Sequence, residues 1–175
     1  NYPNSKHAEE CAFMVAQCYH NETPVYSLDA TNNYKAIKEF QSFVDRFPIS
    51  ERVEKCNVLI DELRIILSTK AFENAKQYYT TENYKSAIIA LDNVLIDFPS
   101  YDNREEVHFL IVKSSYLLAV NSISTKVEER LKATLDAFAQ FEDNYPKSGY
   151  LEDLKHTYNK TIQSLTELKP NKNEI

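Results

Sequence analysis

An aromatic–proline dipeptide recurs four times along the chain, as Tyr2-Pro3, Phe47-Pro48, Phe98-Pro99 and Tyr145-Pro146. A serine follows closely each time, at Ser5, Ser50, Ser100 and Ser148. Proline cannot continue a helix, and serine is a preferred N-cap for the next one. The unit therefore reads as helix, stop, cap, helix. Upstream of the last three aromatics the apolar spacing also repeats. Four residues back stand Phe43, Val94 and Phe141; seven back, Phe40, Leu91 and Phe138; ten back, Ile37, Ile88 and Leu135. Steps of three and four line one face of a helix. A chain with this punctuation is expected to fold as a helical repeat.

Composition narrows the class further. Gly149 is the single glycine and tryptophan is absent. Glycine normally supplies about 7% of residues, because β-hairpins and phosphate-binding loops need it. An all-α fold remains, specifically an α-solenoid of helix pairs. Where a helix needs a left-handed terminal residue, asparagine is the usual substitute, and Asn21, Asn83 and Asn121 are expected in that role. The formal net charge is −6 with no Lys/Arg cluster, which speaks against nucleic acid as a partner. No run of 18 or more apolar residues predicts a membrane span, and the N-terminus shows no targeting segment. Cys11, Cys18 and Cys56 are too few for a disulfide framework. Each falls on an apolar stripe (Ala8, Cys11, Val15, Cys18; Val53, Cys56, Ile60, Leu63), so buried free thiols are expected.

Seven helices are predicted, over about 5–20, 29–47, 51–81, 84–98, 102–121, 126–145 and 148–168. They are grouped as a single solenoid over 1–168: repeats at about 5–48, 51–99 and 102–146, a final helix at 148–168, and a frayed tail at 169–175. A long loop, Asn21–Asn33, interrupts the first pair, and the third helix runs on without a proline or glycine break. Thr125-x-x-Glu128 reads as a capping box opening the sixth helix. In the middle pair Ala75, Tyr78, Ala87, Leu91, Val94 and Pro99 have tetratricopeptide spacing. Small Ala75 and Ala87 allow close approach, with Tyr78 and Leu91 filling the space beside them. The first pair supplies Ala36, Phe40 and Phe43; the third has Thr134 in the alanine position. Proline-to-proline intervals all exceed the consensus of about 34 residues, so the repeats are divergent. Tyr2-Pro3-Asn4-Ser5 reads as the end of a unit whose helices are absent, and earlier repeats, with any targeting signal, are expected upstream.

No constellation for chemistry stands out. His7, His20, His108 and His156 are scattered, and only His7 and Cys11 share a helical face at i, i+4. A structural metal site wants four convergent ligands, so no metal, cofactor or catalytic residue is assigned. Adjacent carboxylates such as Glu105-Glu106 and Glu128-Glu129 point to different azimuths and read as solvated surface. The 12 tyrosines concentrate at helix junctions, chiefly as structural closures, and tyrosine is also enriched at interfaces. Tyr84, Lys85, Tyr101 and Arg104, flanking the second helix of the middle pair, are the candidate partner-binding residues.

The stretch Leu67–Tyr101 (LSTKAFENAKQYYTTENYKSAIIALDNVLIDFPSY) resembles the BamD family of outer-membrane β-barrel assembly lipoproteins. The points of likeness are a long helix ending in Tyr78-Tyr79, a short turn at Thr80–Asn83, a second helix, and Asp97-Phe98-Pro99. Tyr2-Pro3-Asn4-Ser5, SLDATNNYKAI over Ser27–Ile37, and Phe47-Pro48-Ile49-Ser50 extend it. The resemblance implies the C-terminal part of a five-repeat parent: a non-enzymatic scaffold of the β-barrel assembly machine. The parent would sit at the periplasmic face of the outer membrane through an N-terminal lipidated cysteine. None of Cys11, Cys18 and Cys56 lies in a lipobox, so that anchor is not in these 175 residues. The partners it implies are the membrane-proximal POTRA domain of BamA, other machine subunits, and unfolded outer-membrane proteins for the whole chain. A competing reading is a generic periplasmic tetratricopeptide adaptor that holds peptide carboxylates in a clamp of Lys, Arg and Asn. The acidic balance weighs against that clamp.

Overall fold

The computed structural model describes residues 7–23 and 29–168. Tyr2-Pro3 with Ser5, most of the first loop including Pro24 and Ser27, and the tail from residue 169 lie outside them. The described residues form seven helices and no strand: α1 (Ala8–Asn21), α2 (Thr31–Arg46), α3 (Val53–Thr80), α4 (Tyr84–Asp97), α5 (Arg104–Val120), α6 (Ser124–Asn144) and α7 (Leu151–Leu168). The fold is all-α, built of tetratricopeptide-like helix pairs. Two compact units divide it inside α3, Asn1–Lys70 and Ala71–Ile175.

The aromatic–proline dipeptides make one turn three times. Phe47, Phe98 and Tyr145 end α2, α4 and α6 with φ/ψ of −130/58, −128/70 and −133/59. Proline at the next position excludes helical ψ from each. Every aromatic donates its N–H to the carbonyl four residues back, at 2.9–3.0 Å. Each aromatic carbonyl then accepts an N–H three residues on, from Ser50, Tyr101 or Ser148, at 3.0–3.1 Å. The hydroxyls of Ser50 and Ser148 accept the N–H two residues further along, leading the chain into α3 and α7. Ser100 has no comparable side-chain bond among the described contacts, and α5 opens from Asn103.

In the first unit Phe40 and Phe43 of α2, fully buried, face Ala16 of α1 and Cys56, Ile60 and Leu63 of α3. Phe13 of α1 stands edge-on to Phe43 at 5.8 Å. This corrects the reading of α1. Cys11 and Cys18 are exposed, and only Cys56 is the buried thiol. Helix α1 carries two apolar stripes, and the one with Ala12, Phe13, Ala16 and Tyr19 turns inward because Phe13 can reach both rings of α2.

In the second unit α4, α5, α6 and α7 pack in chain order, and α5 also touches α7. Phe72 and Ala75 of α3, Leu91 and Val94 of α4, and Val107 and Leu110 of α5 form one cluster. Val112, Phe138, Phe141 and Leu154 form the next. Ala75 and Ala87 are fully buried, as close approach requires. Tyr78 does not fill the space beside them: it is exposed, and Tyr79 packs there instead, edge-on to Tyr84 at 6.1 Å. Thr134, in the alanine position of α6, is buried with its hydroxyl donating to Arg130 O at 3.0 Å.

Two expectations about helix ends change. The expected capping box does not open α6, because the helix starts at Ser124 after Ile123 and encloses Thr125. The left-handed residue is not an asparagine either. Among the described residues Glu82 is the one non-glycine with positive φ, at 60°. It closes α3 in a Schellman motif: Asn83 N–H bonds Tyr78 O at 2.9 Å and Glu82 N–H bonds Tyr79 O at 3.1 Å. Asn83 lies one place beyond, at the N-cap position of α4 with φ −86 and no side-chain capping bond. Glutamate in this conformation costs roughly 1 kcal/mol against glycine. Glu82→Gly is therefore expected to raise the melting temperature by about 1–4 °C, read by thermal circular dichroism.

Candidate functional site

The proposed partner residues occupy opposite ends of α4 and do not form one patch. Tyr84 and Lys85 begin the 14-residue helix, and Tyr101 and Arg104 follow its end, about 20 Å away by the helical rise. At the first end Tyr84 is half-buried against Tyr79, and Lys85 is exposed. At the far end Tyr101 packs on Phe72 with ring centroids 5.5 Å apart. Burial raises the Tyr101 hydroxyl pKa above the usual tyrosine value. Arg104 donates from one guanidinium nitrogen to Leu95 O at 3.2 Å and Pro99 O at 3.2 Å, with Phe98 O at 3.5 Å. These are carbonyls left over where α4 stops. The cation also complements the negative end of that helix. Arg104 is thus engaged in holding the junction.

A second feature was not singled out from the sequence. Phe72 and Lys76 lie one turn apart on α3, and Lys76 sits over the Phe72 ring, 5.5 Å from its centroid, and pairs with Glu106 of α5 at 2.8 Å. The arrangement recurs one helix pair on. Lys113 stands over Phe109 at 5.9 Å and pairs with Asp153 of α7 at 3.1 Å. In both, the tyrosine ahead of the next first helix covers the phenylalanine: Tyr101 on Phe72 at 5.5 Å, and Tyr150 on Phe109 at 4.4 Å, nearly parallel. The readable signal is Phe-x-x-x-Lys on one first helix, with a tyrosine and then an acid at the head of the next. The hydrogen bond to Glu106 is the main cause that raises the Lys76 pKa, so the cation is held by its neighbour. With Lys76, Lys113 and Arg104 all engaged, these three do not assemble a carboxylate clamp.

A groove of about 430 Å³ lies between α6 and α7. Phe138 and Tyr158, 4.9 Å apart, line it, with Glu142 and Lys155 at 4.0 Å on its rim. It brings together no nucleophile with a base. Among the described residues no three of His, Cys, Asp and Glu converge to hold a metal, and no helix is long and apolar enough to cross a membrane.

The family model YfiO, outer membrane lipoprotein, matches residues 67–168, from within α3 to the end of α7. The chain belongs to this family. The match is consistent with the C-terminal part of a BamD-like protein. No curated protein matches the chain. YfiO membership makes this an outer-membrane lipoprotein of the BamD type, from a family of non-catalytic accessory proteins that work with protein partners.

Two measurements check the site's electrostatics. Arg104→Ala is expected to cost about 1 kcal/mol, from the lost charged bonds at the end of α4, by urea denaturation. His108 of α5 lies 5.6 Å from the Tyr145 ring, and burial, then the Arg104 charge, lowers its pKa below 6.5. A lowered folded value means that the unfolded chain takes up the proton first as pH falls. The stability from His108 is complete above about pH 6.5 and declines below it toward the folded value. Melting temperature should drop in that window, and His108→Phe should flatten the drop.

Proposed function

We propose that these residues are the docking part of a non-enzymatic scaffold subunit of the outer-membrane β-barrel assembly machine. They would lie at the periplasmic face of the outer membrane and bind the membrane-proximal POTRA domain of BamA. The observation that carries this reading is the YfiO match, which takes in nearly the whole of the Ala71–Ile175 unit. The anchoring lipid and the contacts with unfolded outer-membrane proteins belong, on this reading, to the complete polypeptide. The junctions support a scaffold role. Each aromatic–proline turn and each lysine–acid pair holds a helix at a set angle before any partner arrives, so less ordering is required on binding.

On this reading Tyr84 and Lys85 contact the partner at the head of α4. Tyr101 and Arg104 set the position of the helix from its other end. Calorimetry of the chain against the BamA POTRA domains should show saturable binding confined to the membrane-proximal domain. Lys85→Glu should weaken it about tenfold with helicity unchanged by circular dichroism. No binding by the complete polypeptide would overturn the proposal. An unchanged Kd in Lys85→Glu would move the contact away from α4's head.

A further inference from the structure

The turn between α5 and α6 carries two exposed β-branched residues, Val120 at 45% and Ile123 at 69%. Its polar side chains bond inward and hold it. The Asn121 amide donates to Leu117 O at 2.9 Å, the Ser122 hydroxyl donates to Leu118 O, and Arg130 of α6 donates to that hydroxyl. Ile123 follows in extended backbone, with φ −63 and ψ 147. The apolar residues are thereby left at the tip of a fixed turn. Leu168, 44% exposed, ends α7. Helix α7 packs beside α5 and runs in the same direction, so Leu168 lies at the same end of the unit.

Cations flank this tip. Lys126 is exposed in the first turn of α6, a helix start that no side chain caps and that is positive through its aligned peptide dipoles. Lys113 of α5 pairs with Asp153 of α7, and two turns further along both helices the same register brings exposed Lys160 beside Val120. Glu128, one turn behind the tip, is paired with Lys132 at 2.7 Å. The other end of the unit is acidic, with Asp97, Asp102, Asp143 and Glu152 exposed there. An anionic surface would therefore be repelled by one end and attracted by the other.

We propose that the α5–α6 tip, with Val120 and Ile123 as its apolar points and Lys126 and Lys160 as its cations, rests on an anionic lipid surface. The apolar side chains enter the boundary of the acyl layer, and the lysine stems lie along it with their ammonium groups among the phosphates. An outer-membrane lipoprotein is already tethered at a bilayer, so a second contact is intramolecular in effect and a weak one suffices. A protein pocket fits less well, because two β-branched residues on one turn fall far short of the roughly 800 Å² per partner of a stable protein contact.

The chain has no tryptophan, so a single introduced one reports its own surroundings. Ile123→Trp probes the tip, and Ile96→Trp, at a site 73% exposed toward the acidic end, is the reference. The complete lipidated polypeptide is reconstituted in vesicles of phosphatidylethanolamine and phosphatidylglycerol. The Ile123→Trp emission should move to shorter wavelength and be quenched by brominated lipid, and the Ile96→Trp emission should do neither. Adding Lys126→Gln to the Ile123→Trp variant should lower the ratio of inserted to free tip about fivefold, with helicity unchanged by circular dichroism. An Ile123→Trp emission indifferent to brominated lipid would overturn the proposal. Equal quenching at both positions would mean general adsorption, and a blue shift that appears only when BamA is added would assign the tip to a protein; either result would overturn it as well.

Discussion

The structure depends on one backbone constraint: an aromatic residue that cannot be helical because proline follows it. At Phe47, Phe98 and Tyr145 the chain stops at nearly the same φ and ψ. The proline has no N–H to continue the ladder, and its ring holds the preceding residue away from helical ψ. The aromatic N–H still closes the last helical turn, and the carbonyl starts the next one. Direction is thus reset by the same local chemistry each time. The ring reinforces it: Phe47 lies 5.3 Å from Phe43 and Tyr145 lies 5.2 Å from Phe141. The same local turn therefore ends a second helix in each of the two compact units.

The turns were legible because they are local, and the second helices because each has a single apolar face. Phe40, Phe43, Leu91, Val94, Phe138 and Phe141 are all buried, at the spacing that the sequence predicted. First helices were harder to read. A helix packed on two sides carries apolar residues on two stripes, and periodicity does not say which one meets its own partner. On α1 the cysteine stripe looked like core, yet the choice was made by Phe13, whose ring reaches Phe40 and Phe43. A one-residue ambiguity likewise separated Tyr78 from Tyr79, since either fits a step of three or four. Glu82 was missed because composition points to asparagine for a left-handed residue, whereas the Schellman bonds fix the position by geometry. The lysine–acid pairs were invisible for another reason. Each joins residues 30 or 40 positions apart, Lys76 to Glu106 and Lys113 to Asp153.

Those pairs bear on which interactions the surface can offer. A lysine over a phenylalanine and against a carboxylate is attractive from two sides, and each contribution is modest when partly exposed. Their value lies in placement. Each pair joins consecutive first helices at the point where a tyrosine from the next unit also lands, so charge and stacking specify the same register. The same engagement removes these cations from ligand capture. A protein that binds partners with this scaffold must therefore use other surface, which is why an exposed residue such as Lys85 tests docking while Arg104 tests stability.

The first helices also show how polar residues enter a stacking face at low cost. Leu154, Thr157 and Thr161 of α7 are buried and stand where α5 has Val107, Leu110 and Ser114. A buried hydroxyl without a partner would cost about 1–3 kcal/mol. Both threonines avoid this by turning back on their own helix: Thr157 donates to Asp153 O at 3.3 Å and Thr161 to Thr157 O at 2.8 Å. Thr134 does the same on α6. Thr157 thus stands where α5 has leucine and Thr134 where the repeat has alanine, and the helix supplies the acceptor from a carbonyl already at hand. Divergence from the tetratricopeptide consensus is therefore tolerated where the substitute is threonine on a helix. Valine would keep the packing volume, whereas asparagine at Thr161 would bring a longer amide that the carbonyl of Thr157 alone cannot satisfy.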